Sequence, residues 1–243
     1  MSDREMLGRH YQDLYAGYYS GESSATRRKR GISAALSVDC MMDAIRDGAP
    51  ADLLDVGAGD GNVLAELDAR KWVASLYAVE ISPSGVEAIR KRSLASLCEV
   101  QLFDGYKIPY PDKRFELAVA VHVLEHVEHE RLFLREIRRV ARRAYIEVPL
   151  EHVFRIQRSI DNGKKFGHIN FYTRETLVGL LGSCGLEVTS SRIVPSSLSY
   201  EQHLSGRVGG LVKSLIRRSA LAAAPAIASR LMVYNAYAYC NCD

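Results

Sequence analysis

The residues with the most chemistry to offer lie in one short run, Asp55-Val56-Gly57-Ala58-Gly59-Asp60-Gly61. Glycine lets a ligand approach the backbone where a Cβ would clash. A helix beginning behind such a turn offers amide donors that have no partner within the helix. The pairing reads as a nucleotide-binding turn. A dinucleotide fingerprint needs G-x-G-x-x-G. Counted from Gly57, its third glycine falls on Asn62, and the third glycine here is Gly61, one residue early. A P-loop fails as well, because no Gly-Lys-Ser/Thr follows. Asp55 adds a discriminating charge: a carboxylate there repels a pyrophosphate and could hold an ammonium group. Glu80 ends the next apolar segment, where a carboxylate can accept hydrogen bonds from both hydroxyls of a ribose.

Two histidines are candidates for proton chemistry. His152 follows a predicted fifth strand, and His168 sits in Gly167-His168-Ile169-Asn170-Phe171-Tyr172, just before a helix. Both fall beyond the carboxyl ends of the strands, where ligands bind in open α/β sheets. Imidazole is the commonest general base near neutral pH. Anchoring of a loop by hydrogen bonding is the plainer role for either. Cysteine chemistry is not expected: Cys40, Cys98, Cys184, Cys240 and Cys242 are scattered and form no CxxC pair. Reduced thiols and a cytoplasmic setting fit this usage, and no metal-ligand set is assigned.

These residues need elements to hold them. Apolar spacing predicts a first helix over 32–47, closed by Gly48 and Pro50. Strands are predicted at Asp52–Val56, Ser75–Val79, Glu99–Phe103, Leu117–His122, Tyr145–Val148 (stopped by Pro149), Leu186–Ile193 and Met232–Cys242. Helices fall between them: one after Gly61, Ser82–Arg92 with Ser82 as N-cap, Glu130–Arg143, and one from Thr173 to Gly185. Alternation of this kind argues for a parallel sheet in an α/β sandwich. Residues 198–231 read as a helical insertion before the last strand. The chain is parsed as 1–50, an N-terminal helical lid and first helix, and 51–243, the main domain.

Composition narrows the field further. Hydrophobic residues make up 47% and charged residues 25% of 243, which excludes a disordered or collagen-like chain. The net charge of +3 is too small to imply a nucleic-acid partner. No apolar run reaches the roughly 20 residues of a membrane span, and the chain opens on polar sequence rather than a secretory signal.

The sequence resembles the class I S-adenosylmethionine-dependent methyltransferases, in the broad group of ubiquinone-biosynthesis-type enzymes. Five blocks carry the resemblance in order: LLDVGAGDG at 53–61, YAVEISPSGVEAIRKR at 77–92, FDGYKIPYPDKRFELAVA at 103–120, VLEHVEH at 123–129 and LREIRRV at 134–140. It departs where Ala141-Arg142-Arg143-Ala144 replaces a Gly-Gly turn and where Glu116 stands for the usual Asp. The resemblance implies a Rossmann-like, mostly parallel seven-stranded sheet with helices on both faces, and S-adenosylmethionine as cofactor. It implies cofactor contacts from Asp55, Gly57, Ala58, Gly59, Gly61 and Glu80. Ile81 would stack on adenine, Asp104 would accept from the adenine amino group, and Gly105 would leave room for the ring. His122 would lie near the methionine portion, and His126 is expected to be packed rather than catalytic.

The expected activity is methyl transfer to a small-molecule acceptor, with O or N favoured. The Asn/Asp-Pro-Pro-aromatic element of enzymes acting on nucleobase amino groups is absent, since the position reads His122-Val123-Leu124-Glu125. The alternative is a non-catalytic cofactor-binding or interaction protein of the same fold. Tyr11, Tyr15, Tyr18 and Tyr19 would form one aromatic stripe on a helix. With the basic run Arg27–Arg30 they suggest a lid over residues 1–31, one arginine facing the cofactor carboxylate. Lys213, Arg217 and Arg218 beside an apolar stretch read as a pocket wall or subunit contact, the latter allowing a homodimer, ahead of a membrane-surface helix.

Overall fold

The computed structural model describes residues 23–163 and 167–242. The tyrosine stripe at 11–19 lies outside the described residues. The chain begins with α1 (Ser24–Ala44), and Ser23 caps it by accepting from the Thr26 amide. The Arg27–Arg30 run is therefore part of this helix, which starts earlier than the predicted 32–47 because Ser23 satisfies its open amide end. There follow β1 (Asp52–Val56), α2 (Asn62–Arg70), β2 (Ser75–Glu80), α3 (Pro83–Lys91), β3 (Leu97–Leu102) and β4 (Phe115–Val121). The second half holds α4 (Glu130–Val140), β5 (Ala141–Leu150), α5 (Ile156–Gly163), α6 (Arg174–Ser183) and β6 (Glu187–Val194). The helices α7 (Leu198–Ala223) and α8 (Pro225–Leu231) precede the last strand, β7 (Tyr234–Asn241).

One seven-stranded sheet runs β3-β2-β1-β4-β5-β7-β6. β1 to β5 are mutually parallel, and β7 is antiparallel to both its neighbours, β5 and β6. The period-two alternation of side chains divides the core between the two faces. Leu53, Leu117 and Val119 pack on one face with Met41 of α1, Leu64 and Leu67 of α2 and Ile89 of α3. Leu54, Ala118 and Ala120 pack on the other with Phe133 and Ile137 of α4 and Leu177 of α6. Strands buried on both faces are therefore nearly continuous apolar runs.

β5 is longer than predicted at both ends. Its start takes in Arg142 and Arg143, assigned from sequence to the preceding helix. Arg142 is exposed and Arg143 half-buried, while Ala141 and Ala144 are buried. At its other end Pro149 does not stop the strand. β4 pairs with β5 only as far as Val121↔Glu147, and beyond that β5 is paired by β7 alone. A missing amide costs little on a side with no neighbouring strand.

The strand order reverses between β1 and β4, so the loops after these two strands diverge and leave a crevice at the carboxyl edge. The segment joining β6 to β7 leaves from Val194 and returns at Tyr234, which pairs with Leu150. Both its ends thus lie at that same edge.

Candidate active site

The glycine turn follows β1 with Gly57, Gly59 and Gly61 all at positive φ, 79°, 60° and 79°. This left-handed backbone is costly for residues with a Cβ. A Cβ on Gly57 would also lie 2.8 Å from both methyl carbons of Val123, just beyond β4. The two lips of the crevice therefore touch, and only glycine fits between them. Gly57 and Ala58 amides donate to the Val79 carbonyl, which ties the turn to the end of β2. Asp60 in the turn is gripped by Arg92, whose Nη2 lies 3.3 Å from Oδ2. Arg30 of α1 approaches the same carboxylate at 3.8 Å, so the basic run faces the glycine turn through this residue.

Two buried carboxylates stand behind the turn. Glu80 is only 4% exposed. Its Oε2 accepts from the Gly59 amide at 2.8 Å and its Oε1 from the Ser82 amide at 2.9 Å. Glu80 is thus an internal brace of the glycine turn as well as the predicted ribose acceptor. Burial raises its pKa, against the pull of the Ser82 and Gly59 amides. Asp55 is 2% exposed, and its Oδ2 has no hydrogen-bond partner. Burial first, and the charge of Glu80 second, push its pKa up to about 8. A buried, unpartnered carboxylate oxygen is expensive unless something completes it. A cationic ammonium group would do so.

The remaining predicted cofactor residues cluster near by. Ile81 is half-buried, and its Cδ1 would meet a Cβ on Gly105 at 3.2 Å. Gly105, at φ 88°, keeps that space open. Asp104 Oδ1 accepts from the Tyr106 and Lys107 amides at 2.8 and 2.6 Å, which fixes the loop after β3. His122 follows β4 in the left-handed region at φ 56°, held there by its amide donating to the Glu147 carbonyl. Its ring nitrogens lie 3.4 Å from Glu125 and 3.5 Å from Glu147. Burial opposes the charge on this imidazole. The bonds to Glu125 and Glu147 outweigh it and raise the pKa to about 10.

Glu147 is a residue that sequence reasoning missed. It is 3% exposed and collects Ser37 of α1 at 3.0 Å, Tyr145 at 2.9 Å and Asn235 of β7 at 3.2 Å. The signal was present, an acid within the otherwise apolar Tyr145-Ile146-Glu147-Val148. Its partners on α1 and β7 were not visible without the sheet order.

The structure separates the two candidate bases. His152 is exposed; its amide donates to the Tyr172 carbonyl, a loop contact that says nothing of its ring. His168 Nδ1 lies 2.6 Å from Glu151 Oε2, a carboxylate–imidazole pair that fixes the ring. Its ring meets that of His126 edge-on at 4.8 Å. His126 Nδ1 is 3.1 Å from the Gly167 carbonyl, as expected of a packed histidine. Burial, aided by His168, holds His126 below the ordinary imidazole range. Glu125, His126 and His168 each present one ligand atom, all within 4.8 Å, so this trio could hold a cation. Glu125 Oε2 is buried without a hydrogen-bond partner.

Comparison with known proteins agrees with this geometry. A methyltransferase-domain family model matches residues 31–191. Ajmaline N-methyltransferase of Rauvolfia serpentina is 29% identical over 153 residues, covering 59% of this chain and 52% of that protein. Norajmaline N-methyltransferase of the same plant is 26% identical over 148 residues, 56% of this chain and 48% of that protein. The chain thus spans about half the length of these curated relatives. Among solved structures, geranyl diphosphate C-methyltransferase from Streptomyces coelicolor A3(2) matches with a TM-score of 0.65 at 14% identity, over 99% of this chain and 98% of that one. The [4+2]-cyclase SpnF matches at 0.60 and 19% identity, over 86% of this chain and 80% of that one.

Proposed function

This chain belongs to the methyltransferase-domain family and has the class I S-adenosylmethionine-dependent methyltransferase fold; from that premise we propose that it transfers a methyl group from S-adenosylmethionine to a nitrogen or oxygen of a small-molecule acceptor. The observation that carries the reading is the unpartnered buried oxygen of Asp55 beside the glycine turn. Burial keeps this carboxyl protonated near neutral pH, and an ammonium group beside it would draw out the anionic form and complete the oxygen. Glu80 would accept from the ribose hydroxyls while bracing Gly59. Ile81, Asp104 and Gly105 would receive the adenine, and Gly57, Ala58, Gly59 and Gly61 would let the backbone close on the cofactor.

The bound cofactor supplies an electrophilic methyl group on a sulfonium. The chain's own residues supply position and proton management. Holding the acceptor in line accounts for several kcal/mol of the barrier, about 7–11 at most. The imidazolium of His122, fixed between Glu125 and Glu147, holds the wall of the crevice beside the methionine portion. His168 would take the acceptor proton, with Glu151 orienting the ring and balancing the charge it gains. His152 would line the entrance. The lid at 1–31 and the insertion at 198–231 would enclose the acceptor, which fits the common use of loops at the carboxyl edge to set specificity.

The N-methyltransferase relatives favour nitrogen among the acceptor atoms. The test is titration calorimetry with S-adenosylmethionine, followed by mass spectrometry of amine and phenol panels with a methyl-labelled cofactor. Binding with no label transfer would leave cofactor recognition standing and remove the transferase reading.

A further inference from the structure

One helical face remains unused by the site. α7 is broken at Gly206, which is non-helical at φ 72° and ψ 173°. The two halves fold back on each other there: a Cβ on Gly210 would lie 2.4 Å from the Gln202 amide nitrogen. Ser214 is buried on the packed side, and Arg217 turns inward to Glu201 at 3.2 Å. On the opposite side Val208, Leu211, Val212, Leu215 and Ile216 are 76%, 45%, 49%, 57% and 56% exposed. Their i, i+3, i+4, i+7, i+8 spacing makes one continuous stripe about 140° wide at roughly 100° per residue. α8 adds Ile227 and Leu231, 61% and 62% exposed. Phe154, 85% exposed, is tied to the end of α8 by its amide donating to the Arg230 carbonyl.

Charge decides what such a face meets. From Gln202 to Val233 the basic residues are Arg207, Lys213, Arg217, Arg218 and Arg230, and there is no Asp or Glu. Arg207 and Arg218 project on one flank of the stripe, Lys213 on the other, and all three are exposed, as is Arg230. A second copy packed on this face would bring cations against cations, which opposes association. An anionic bilayer matches both properties, taking the apolar side chains among its acyl chains and the cations at its headgroups. No described helix is long and apolar enough to cross a membrane, so the contact would be interfacial.

We propose that the exposed apolar face of α7 and α8, flanked by Arg207, Lys213, Arg218 and Arg230, docks this protein on the surface of a negatively charged lipid bilayer. The segment that carries this face leaves from and returns to the carboxyl edge of the sheet. The proposal stands on this surface alone and does not require the methyltransferase reading.

The test is flotation of the full chain with vesicles of phosphatidylcholine alone or mixed with phosphatidylglycerol. The chain should float with the mixed vesicles, stay in solution with phosphatidylcholine alone, and release as salt is raised. Leu211→Glu with Leu215→Glu should abolish flotation while the melting temperature stays within a degree or two, about what exposed substitutions cost. Lys213→Glu and Arg218→Glu should each weaken partitioning at least about fivefold. Equal flotation on neutral vesicles, no flotation on either, or undiminished flotation of the double variant would overturn the proposal. So would a stable dimer by sedimentation that Leu215→Glu dissociates, because it would assign the face to a second copy.

Discussion

Asp55 concentrates what the site asks of single residues. Its pKa of about 8 means that the folded chain holds a proton which the unfolded chain loses near the ordinary carboxyl value of 3.8. Between these values the native state binds more protons, so stability should fall as pH rises from about 4 to 8 on this account. Asp55→Asn should flatten that slope, as thermal melts at several pH values would show. An ammonium group beside Asp55 favours its ionised form, so cofactor binding at pH 7 should release a proton. Calorimetry in two buffers of different ionisation enthalpy reads this directly, and binding heats that do not depend on the buffer would remove Asp55 from the ammonium contact. Glu80→Ala should weaken cofactor binding by about 1–3 kcal/mol. Because Glu80 also holds the Gly59 and Ser82 amides, this variant should lower the melting temperature too, whereas Glu80→Gln should retain more stability than affinity. His168→Asn and His168→Ala should both cut turnover by about 10²–10⁴-fold with cofactor affinity nearly unchanged. Activity retained in the Asn variant alone would make His168 a loop anchor held by Glu151.

At the scale of elements, the contact between the turn after β1 and the segment after β4 governs the crevice. Gly57→Ala meets both a left-handed φ of 79° and Val123 methyl carbons at 2.8 Å. The conformational part alone should cost about 1–2 kcal/mol. Val123→Ala should relieve the steric part and leave the backbone part. A double-mutant cycle on thermal stability would therefore show coupling between the two, and strict additivity would mean that the lips do not touch in solution. The strands themselves were legible because each carries a dense apolar run. Their ends were not. β5 passes through Pro149 because its β4 neighbour stops at Val121, a fact about pairing that no local window contains. α1 begins at Ser24 because Ser23 caps it, although residues 24–31 are polar enough to read as lid.

The whole molecule joins α1 to both faces of the problem: Val38 and Met41 are fully buried in the core, while Arg30 reaches the glycine turn. Removing residues 1–22 keeps the Ser23 cap and the core face of α1. Removing 1–31 should destabilise the fold by about 1 kcal/mol through the lost cap alone. If residues 1–22 close over the acceptor, the shorter truncation should lower turnover far more than it lowers stability; full activity would make them a tail. The sequence alone determined the α/β alternation, the glycine turn and the carboxylates at 55 and 80, because these are local: apolar periodicity, backbone freedom and a charge at a strand end are all written within a few residues. Only the tertiary structure decided that Glu80 is a buried brace, that His168 rather than His152 has a carboxylate partner, and that Glu147 gathers Ser37, His122, Tyr145 and Asn235. Those outcomes depend on which strands lie side by side. The burial and pairing of Glu147 are set by neighbours up to 110 residues away in the chain, and local pattern carries no record of them.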